Sequence, residues 1–114
     1  MPVEIIRNEY TIVKASGSID IYSAQKFRAA LDKAMEDPSN GLIIDLSEAV
    51  YIDSSGIQTI FYVYKQVRST GDRMALVLGT RNIRELFTVV GLDALPGIFI
   101  GDDLASAEQA LGGE

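Results

Sequence analysis

Leu42-Ile43-Ile44-Asp45-Leu46-Ser47-Glu48-Ala49-Val50-Tyr51-Ile52-Asp53-Ser54-Ser55-Gly56-Ile57 is the stretch that decides how this chain folds. Leu42, Ile43, Ile44 and Leu46 make a short, nearly continuous apolar run, the pattern of a strand covered on both faces. After Asp53-Ser54-Ser55-Gly56 the period changes. Ile57, Ile60, Phe61, Tyr64 and Val67 recur at three- and four-residue intervals, and Gly71 stands beyond them as a stop. A central buried strand therefore leads through a short polar turn into a helix.

The flanking segments extend that alternation. Val3 to Arg7 and Tyr10 to Ala15 read as a β-hairpin turning at Asn8-Glu9. Past Gly17-Ser18-Ile19-Asp20, the residues Ala24, Phe27, Leu31, Ala34 and Met35 share one helical stripe, which predicts a helix from about Tyr22 to Glu36. Asp37-Pro38-Ser39-Asn40-Gly41 breaks it. Downstream, Met74 to Leu78 reads as a second buried strand. Asn82 through Val90, with Ile83, Leu86, Phe87 and Val90 apolar, reads as a helix ending at Gly91. Gly97 to Ile100 gives a last strand, and Leu104, Ala107, Ala110 and Leu111 a closing helix before a Gly112-Gly113-Glu114 tail expected to fray. The expected fold is α/β. It is a single domain over residues 1–114 with a mixed, mostly parallel sheet of about five strands, about four helices and an N-terminal hairpin supplying an antiparallel edge.

Composition narrows the chemistry. A chain of 114 residues, 47% hydrophobic, buries roughly two thirds of its unfolded surface without covalent staples. Cysteine and histidine are both absent, which removes disulfides, thiolate nucleophiles, imidazole bases and the usual zinc ligands. The net charge of −6 opposes nonspecific binding to nucleic acid, which needs phosphate neutralisation. No run approaches the roughly 20 apolar residues of a membrane span, and Met1-Pro2-Val3-Glu4 does not open a secretion signal, so a cytoplasmic location without membrane insertion is expected.

In an open α/β sheet, function gathers where strands end and helices begin, and Asp53-Ser54-Ser55-Gly56 lies at such a turn. A helix N-terminus presents free N–H groups and partial positive charge, so a phosphate is tolerated there, and glycine permits close backbone approach. On these four residues alone helix capping is the ordinary reading. A phosphoacceptor, a catalytic serine and a ligand loop are the alternatives, and the catalytic serine is weakest because no activating base is present. Neither a nucleotide-hydrolysing loop nor a dinucleotide fingerprint occurs. Asp45 near a strand end lacks the acidic pair that would hold magnesium, and its simpler reading is a partner for nearby Ser47. Tyr62 and Val63 fall off the main stripe of the second helix, as a partner surface or as packing under a loop. Arg68, Arg73, Arg81 and Arg84 read as solvated, with Arg81 and Arg84 near enough to border the serine motif.

Val50-Tyr51-Ile52-Asp53-Ser54-Ser55-Gly56-Ile57 after Leu42-Ile43-Ile44-Asp45-Leu46-Ser47 resembles the STAS domain family, and within it the bacterial anti-sigma factor antagonists. Gly17-Ser18-Ile19-Asp20 and Ile83-Arg84-Glu85-Leu86-Phe87 to Gly91-Leu92 extend the likeness over nearly the whole chain. The resemblance implies that Ser54 is the phosphoacceptor, supported by Asp53, Ser55 and Gly56, with Ile57, Gln58 and Tyr62 as a candidate partner surface. It implies a non-enzymatic role without cofactor or metal. The unphosphorylated form would bind an anti-sigma factor that is also a serine protein kinase, freeing a sigma factor. Phosphorylation by that kinase would end binding, and a serine phosphatase would reset it. Gln58 and Thr59 depart from the family pattern and bear on the partner surface. The alternative within the family is a STAS subunit of a transport system, such as a lipid-trafficking ABC transporter; a small hydrolase using Ser54 lies outside it.

Overall fold

A computed structural model describes residues 2–37 and 41–112. Strands β1 (Val3–Arg7) and β2 (Thr11–Ile19) form the expected hairpin, followed by α1 (Ala24–Met35), β3 (Leu42–Ile52), α2 (Ser54–Ser69), β4 (Met74–Leu78), α3 (Arg81–Val89), β5 (Ile98–Gly101) and α4 (Leu104–Gly112). The five strands lie in sequence order, with β1 antiparallel at one edge and the other neighbours parallel. Because each parallel strand adds on the same side of the last, right-handed crossovers bring every connecting helix to one face. Phe27 and Leu31 of α1, Ile60 and Val63 of α2 and Phe87 of α3 accordingly share one core with Val13, Ile44 and Leu76. Helix α4 has no crossover to make. It covers the opposite face, setting Ala107 and Leu111 against Ile12, Ile43, Ala75 and Val77. Adjacent residues of β3 and β4 thus point into different cores, which is why both strands read as unbroken apolar runs.

Strand β3 runs on to Ile52, well past the apolar run Leu42–Leu46, and three further boundaries differ from expectation, each for a local reason. Strand β2 continues through Ser16–Ile19 instead of turning at Gly17, because Gly17 adopts φ +77° and the pairing with β3 shifts register at Lys14/Ser16 and again at Gly17/Ser18. Between Asp45 and Ile52, β3 fits two more residues against β2 than β2 supplies, a bulged geometry that glycine accommodates. Helix α1 starts two residues later than Tyr22. The Asp20 carboxylate accepts the N–H groups of Tyr22 (3.0 Å) and Ser23 (3.1 Å), and this Asx-type turn holds Ile21 and Tyr22 outside the helix. At the other end of the chain Gly112 closes α4 rather than fraying. It packs against the Tyr10 hydroxyl, and the Arg73 guanidinium donates to the carbonyl of Leu111. The rest of the expected tail, residues 113–114, and 38–40 of the predicted break lie outside the described residues.

The hairpin turn also matches its sequence: the N–H of Tyr10 donates to the Asn8 side chain at 2.9 Å. Arg7 of the edge strand reaches across to donate to the carbonyls of Lys33 and Asp37, satisfying orphan acceptors at the end of α1. Among the described residues, no helix is long and apolar enough to cross a membrane.

Candidate functional site

The site grows from one carboxylate. Asp53 follows β3 with extended backbone (φ −104°, ψ −171°) and caps α2. Its Oδ1 accepts from the N–H of Ser55 at 2.9 Å, from the N–H of Gly56 at 3.4 Å and from the Ser55 hydroxyl. Its Oδ2 accepts from the N–H of Ile21, on the turn between β2 and α1, at 3.2 Å. The Ser55 hydroxyl holds the Asp53 carboxyl below its ordinary range, with the N–H groups of Ser55, Gly56 and Ile21 adding to the effect against the opposing pull of desolvation. Capping is therefore real, and it is carried by Asp53.

The two serines are left in different states. Ser55 is half-buried with its hydroxyl committed to Asp53, and its carbonyl accepts from Thr59 Oγ1 at 3.0 Å. Ser54 is exposed at the first position of α2, and among the described residues its hydroxyl has no hydrogen-bond partner. A hydroxyl free on the surface is open to a transferred group; one donating into a carboxylate is not.

Gly56 explains itself sterically. A Cβ there would fall 2.6 Å from Ile52 Cγ1 and 2.8 Å from Ile19 Cγ2. The glycine lets the first turn of α2 rest on the ends of β3 and β2, so the close approach is to buried side chains. A second such contact supports the neighbouring turn. A Cβ on Gly79 would lie 2.2 Å from the carbonyl oxygen of Ser47, and Thr80 just beyond caps α3 by accepting from the N–H of Ile83. Gly79 was not singled out by sequence reasoning, where it is one small residue among ten glycines.

The candidate partner residues separate on burial. Ile57 is 7% exposed and belongs to the main core, which removes it from the accessible surface. Gln58 is exposed, and Tyr62 is half-buried with the Arg28 guanidinium 3.9 Å above its ring. Val63, expected off the apolar stripe, is fully buried, because α2 is flanked by α1 as well as by the sheet and its buried arc is wider than one stripe. The exposed apolar groups near Asp53 are instead Ile21 (70%) and Tyr22 (92%) on the turn it holds, with Val50 and Tyr51 at the end of β3. No period marks these residues; the signal available in sequence is two apolar residues immediately after a Gly-x-x-Asp turn.

Among the arginines, Arg84 pairs with Asp102, between β5 and α4, and Arg81 with Glu85 at 3.5 Å. Asp45 lies inside β3 rather than at its end, buried, and accepts from the N–H of Ser47 at 2.9 Å. Among the described residues no cluster of acidic side chains is arranged to hold a metal ion.

The STAS domain family model matches residues 2–107. Two curated relatives are anti-sigma-B factor antagonists. That of Bacillus subtilis (strain 168) is 32% identical over 91 residues, covering 79% of this chain and 83% of its own length. That of Listeria monocytogenes serovar 1/2a is 31% identical over 77 residues, 68% of each chain. A solved anti-sigma factor antagonist from Mycobacterium paratuberculosis superposes with a TM-score of 0.86 over 96% of this chain and 92% of its own at 22% identity, a likeness of fold.

Proposed function

The chain belongs to the STAS domain family, and from that premise we propose that it is an anti-sigma factor antagonist switched by phosphorylation of Ser54. The unphosphorylated protein binds an anti-sigma factor that is also a serine protein kinase, and so releases a sigma factor in the cytoplasm. Transfer of phosphate to Ser54 ends the complex, and a serine phosphatase restores it. The relatives named as anti-sigma-B factor antagonists support the pathway. The observation that carries the assignment to Ser54 is the asymmetry of the two hydroxyls, one free on the first residue of α2 and the other bound to Asp53.

Phosphate adds about −1.5 to −2 charge at neutral pH. At the N-terminus of a 16-residue helix that charge is compatible with the fold. It follows directly on the Asp53 carboxylate, so a partner docked over the turn meets new bulk and a much more acidic patch. The effect is local repulsion at the interface rather than unfolding. Ser54→Ala binds the kinase constitutively. Ser54→Asp, with one charge and no tetrahedral group, mimics the modified state incompletely.

The test is phosphopeptide mass spectrometry on protein recovered from its native cells under growth and stress, with Ser54→Ala as control. Phosphate on Ser54 that changes with condition supports the switch. Absence of phosphate under every condition, with a permease co-purifying, overturns it in favour of a transport subunit.

A further inference from the structure

Asp53 does more than cap α2. Its Oδ1 serves the helix, through Ser55 and Gly56, while its Oδ2 accepts the backbone N–H of Ile21 at 3.2 Å from a different crossover. One carboxylate thus ties the residue before Ser54 to a turn whose two side chains, Ile21 and Tyr22, are the most exposed apolar groups among those near the motif. From its other side the turn is fixed by the Asp20 carboxylate, and the Ser23 hydroxyl donates to the Ser18 carbonyl at 2.9 Å. Two large apolar side chains are therefore held out in water by a polar frame, and among the described residues nothing covers them.

We propose that Asp53 is a positioning residue that holds the Ile21–Tyr22 turn in register with Ser54, and that this turn is the second recognition element for the serine kinase that modifies Ser54. The inference rests on the reading of Ser54 as phosphoacceptor. The occupant follows from distance. A protein interface of ordinary size covers about 800 Å² on each partner, a patch of roughly 16 Å radius. A kinase that admits the Ser54 hydroxyl to its active site cannot leave uncovered a turn hydrogen-bonded to the adjacent residue. The chemistry required of the kinase is an apolar pocket beside its catalytic cleft, with room for an aromatic ring. Gln58, polar and on the helix, then tunes the rim rather than the centre.

Asp53→Asn separates the two duties of the carboxylate. Asparagine caps helices about as well as aspartate, so its oxygen keeps the bonds to Ser55 and Gly56. Its amide nitrogen then faces the Ile21 N–H, donor against donor, and the turn is released. Ile21→Ser/Tyr22→Ser removes the apolar pair itself; both side chains are solvent-facing, so this variant folds.

The experiment measures phosphate transfer from radiolabelled ATP to Ser54 in extract of the native cells, over a range of added protein, with Ser54→Ala as blank. Ile21→Ser/Tyr22→Ser is expected to raise the apparent KM for the protein about tenfold with kcat unchanged, the mark of lost docking. Asp53→Asn is expected to raise KM in the same direction and to speed amide hydrogen exchange at Ile21 while leaving Ser55 and Gly56 protected. Labelling of the double variant with wild-type KM overturns the inference and leaves the phosphoacceptor reading standing. No Ser54 label in the wild type overturns both.

Discussion

Gly56→Ala tests the packing that sets Ser54 in place. The new methyl would sit 2.6 Å and 2.9 Å from Ile52 Cγ1 and Cδ1 and 2.8 Å from Ile19 Cγ2, where carbon atoms ordinarily rest about 3.5–4.0 Å apart. Roughly 1 Å of overlap must be relieved against two buried, β-branched side chains that have little freedom at χ1. Overpacking of this kind costs about 1–3 kcal/mol. Alanine returns at most about 1 kcal/mol of helix propensity, and less than that in the first turn. The net loss is about 1–2 kcal/mol. With an unfolding entropy of about 2.1 cal/mol/K per residue over 114 residues, Tm falls by about 4–8 °C. Differential scanning calorimetry reads this directly, with Gly71→Ala as reference. At Gly71 a Cβ meets nothing within 4 Å, and the cost comes from φ +80° alone. A Gly56→Ala protein that melts at or above the wild-type temperature would refute the argument, since helix propensity would then outweigh a contact that does not exist.

Gly79→Ala drives a methyl into the Ser47 carbonyl oxygen at 2.2 Å, backbone against backbone, and is expected to cost about 2–4 kcal/mol or to leave the protein insoluble; soluble protein with wild-type Tm contradicts it. Val63→Ala removes two methyl groups from a fully buried site and is expected to cost about 2–3 kcal/mol, read from the urea midpoint; a change within about 0.5 kcal/mol would put Val63 on the surface after all. The depressed Asp53 carboxyl stabilises the fold above its unfolded value near 3.8, and that contribution is lost as pH falls through the lower folded value. The Tm advantage of wild type over Asp53→Asn should therefore shrink on acidification below about pH 4 and vanish at the lowest pH reached; an advantage that grows instead reverses the sign of the linkage.

The order of elements, the hairpin edge and the parallel core were legible in the chain because they follow from local signals. Period 2 or unbroken apolar runs mark Tyr10–Ala15, Leu42–Leu46 and Met74–Leu78, period 3.6 marks the helices, and right-handed crossovers leave one way to assemble them. The Asp-Ser-Ser-Gly turn was legible for the same reason, as a change of period. What depends on contacts between residues distant in sequence was not. That Ser55 is committed and Ser54 free depends on where the Asp53 carboxylate points, and its second oxygen is taken by the N–H of Ile21, 32 residues away. That Ile57 and Val63 are buried depends on α1 lying beside α2. Tyr22 looks like the first residue of a helix until the Asp20 turn, with Ile21 bonded to the Asp53 carboxylate 32 residues later in the chain, holds it out. Sequence thus determined which elements form and in what order, since each is set by its own residues. Tertiary structure alone decided which side chains around the Ser54 turn are covered and what the Asp53 carboxylate ties together, because the Ile21 N–H that its Oδ2 accepts and the α1 helix that flanks α2 come from another crossover of the sheet.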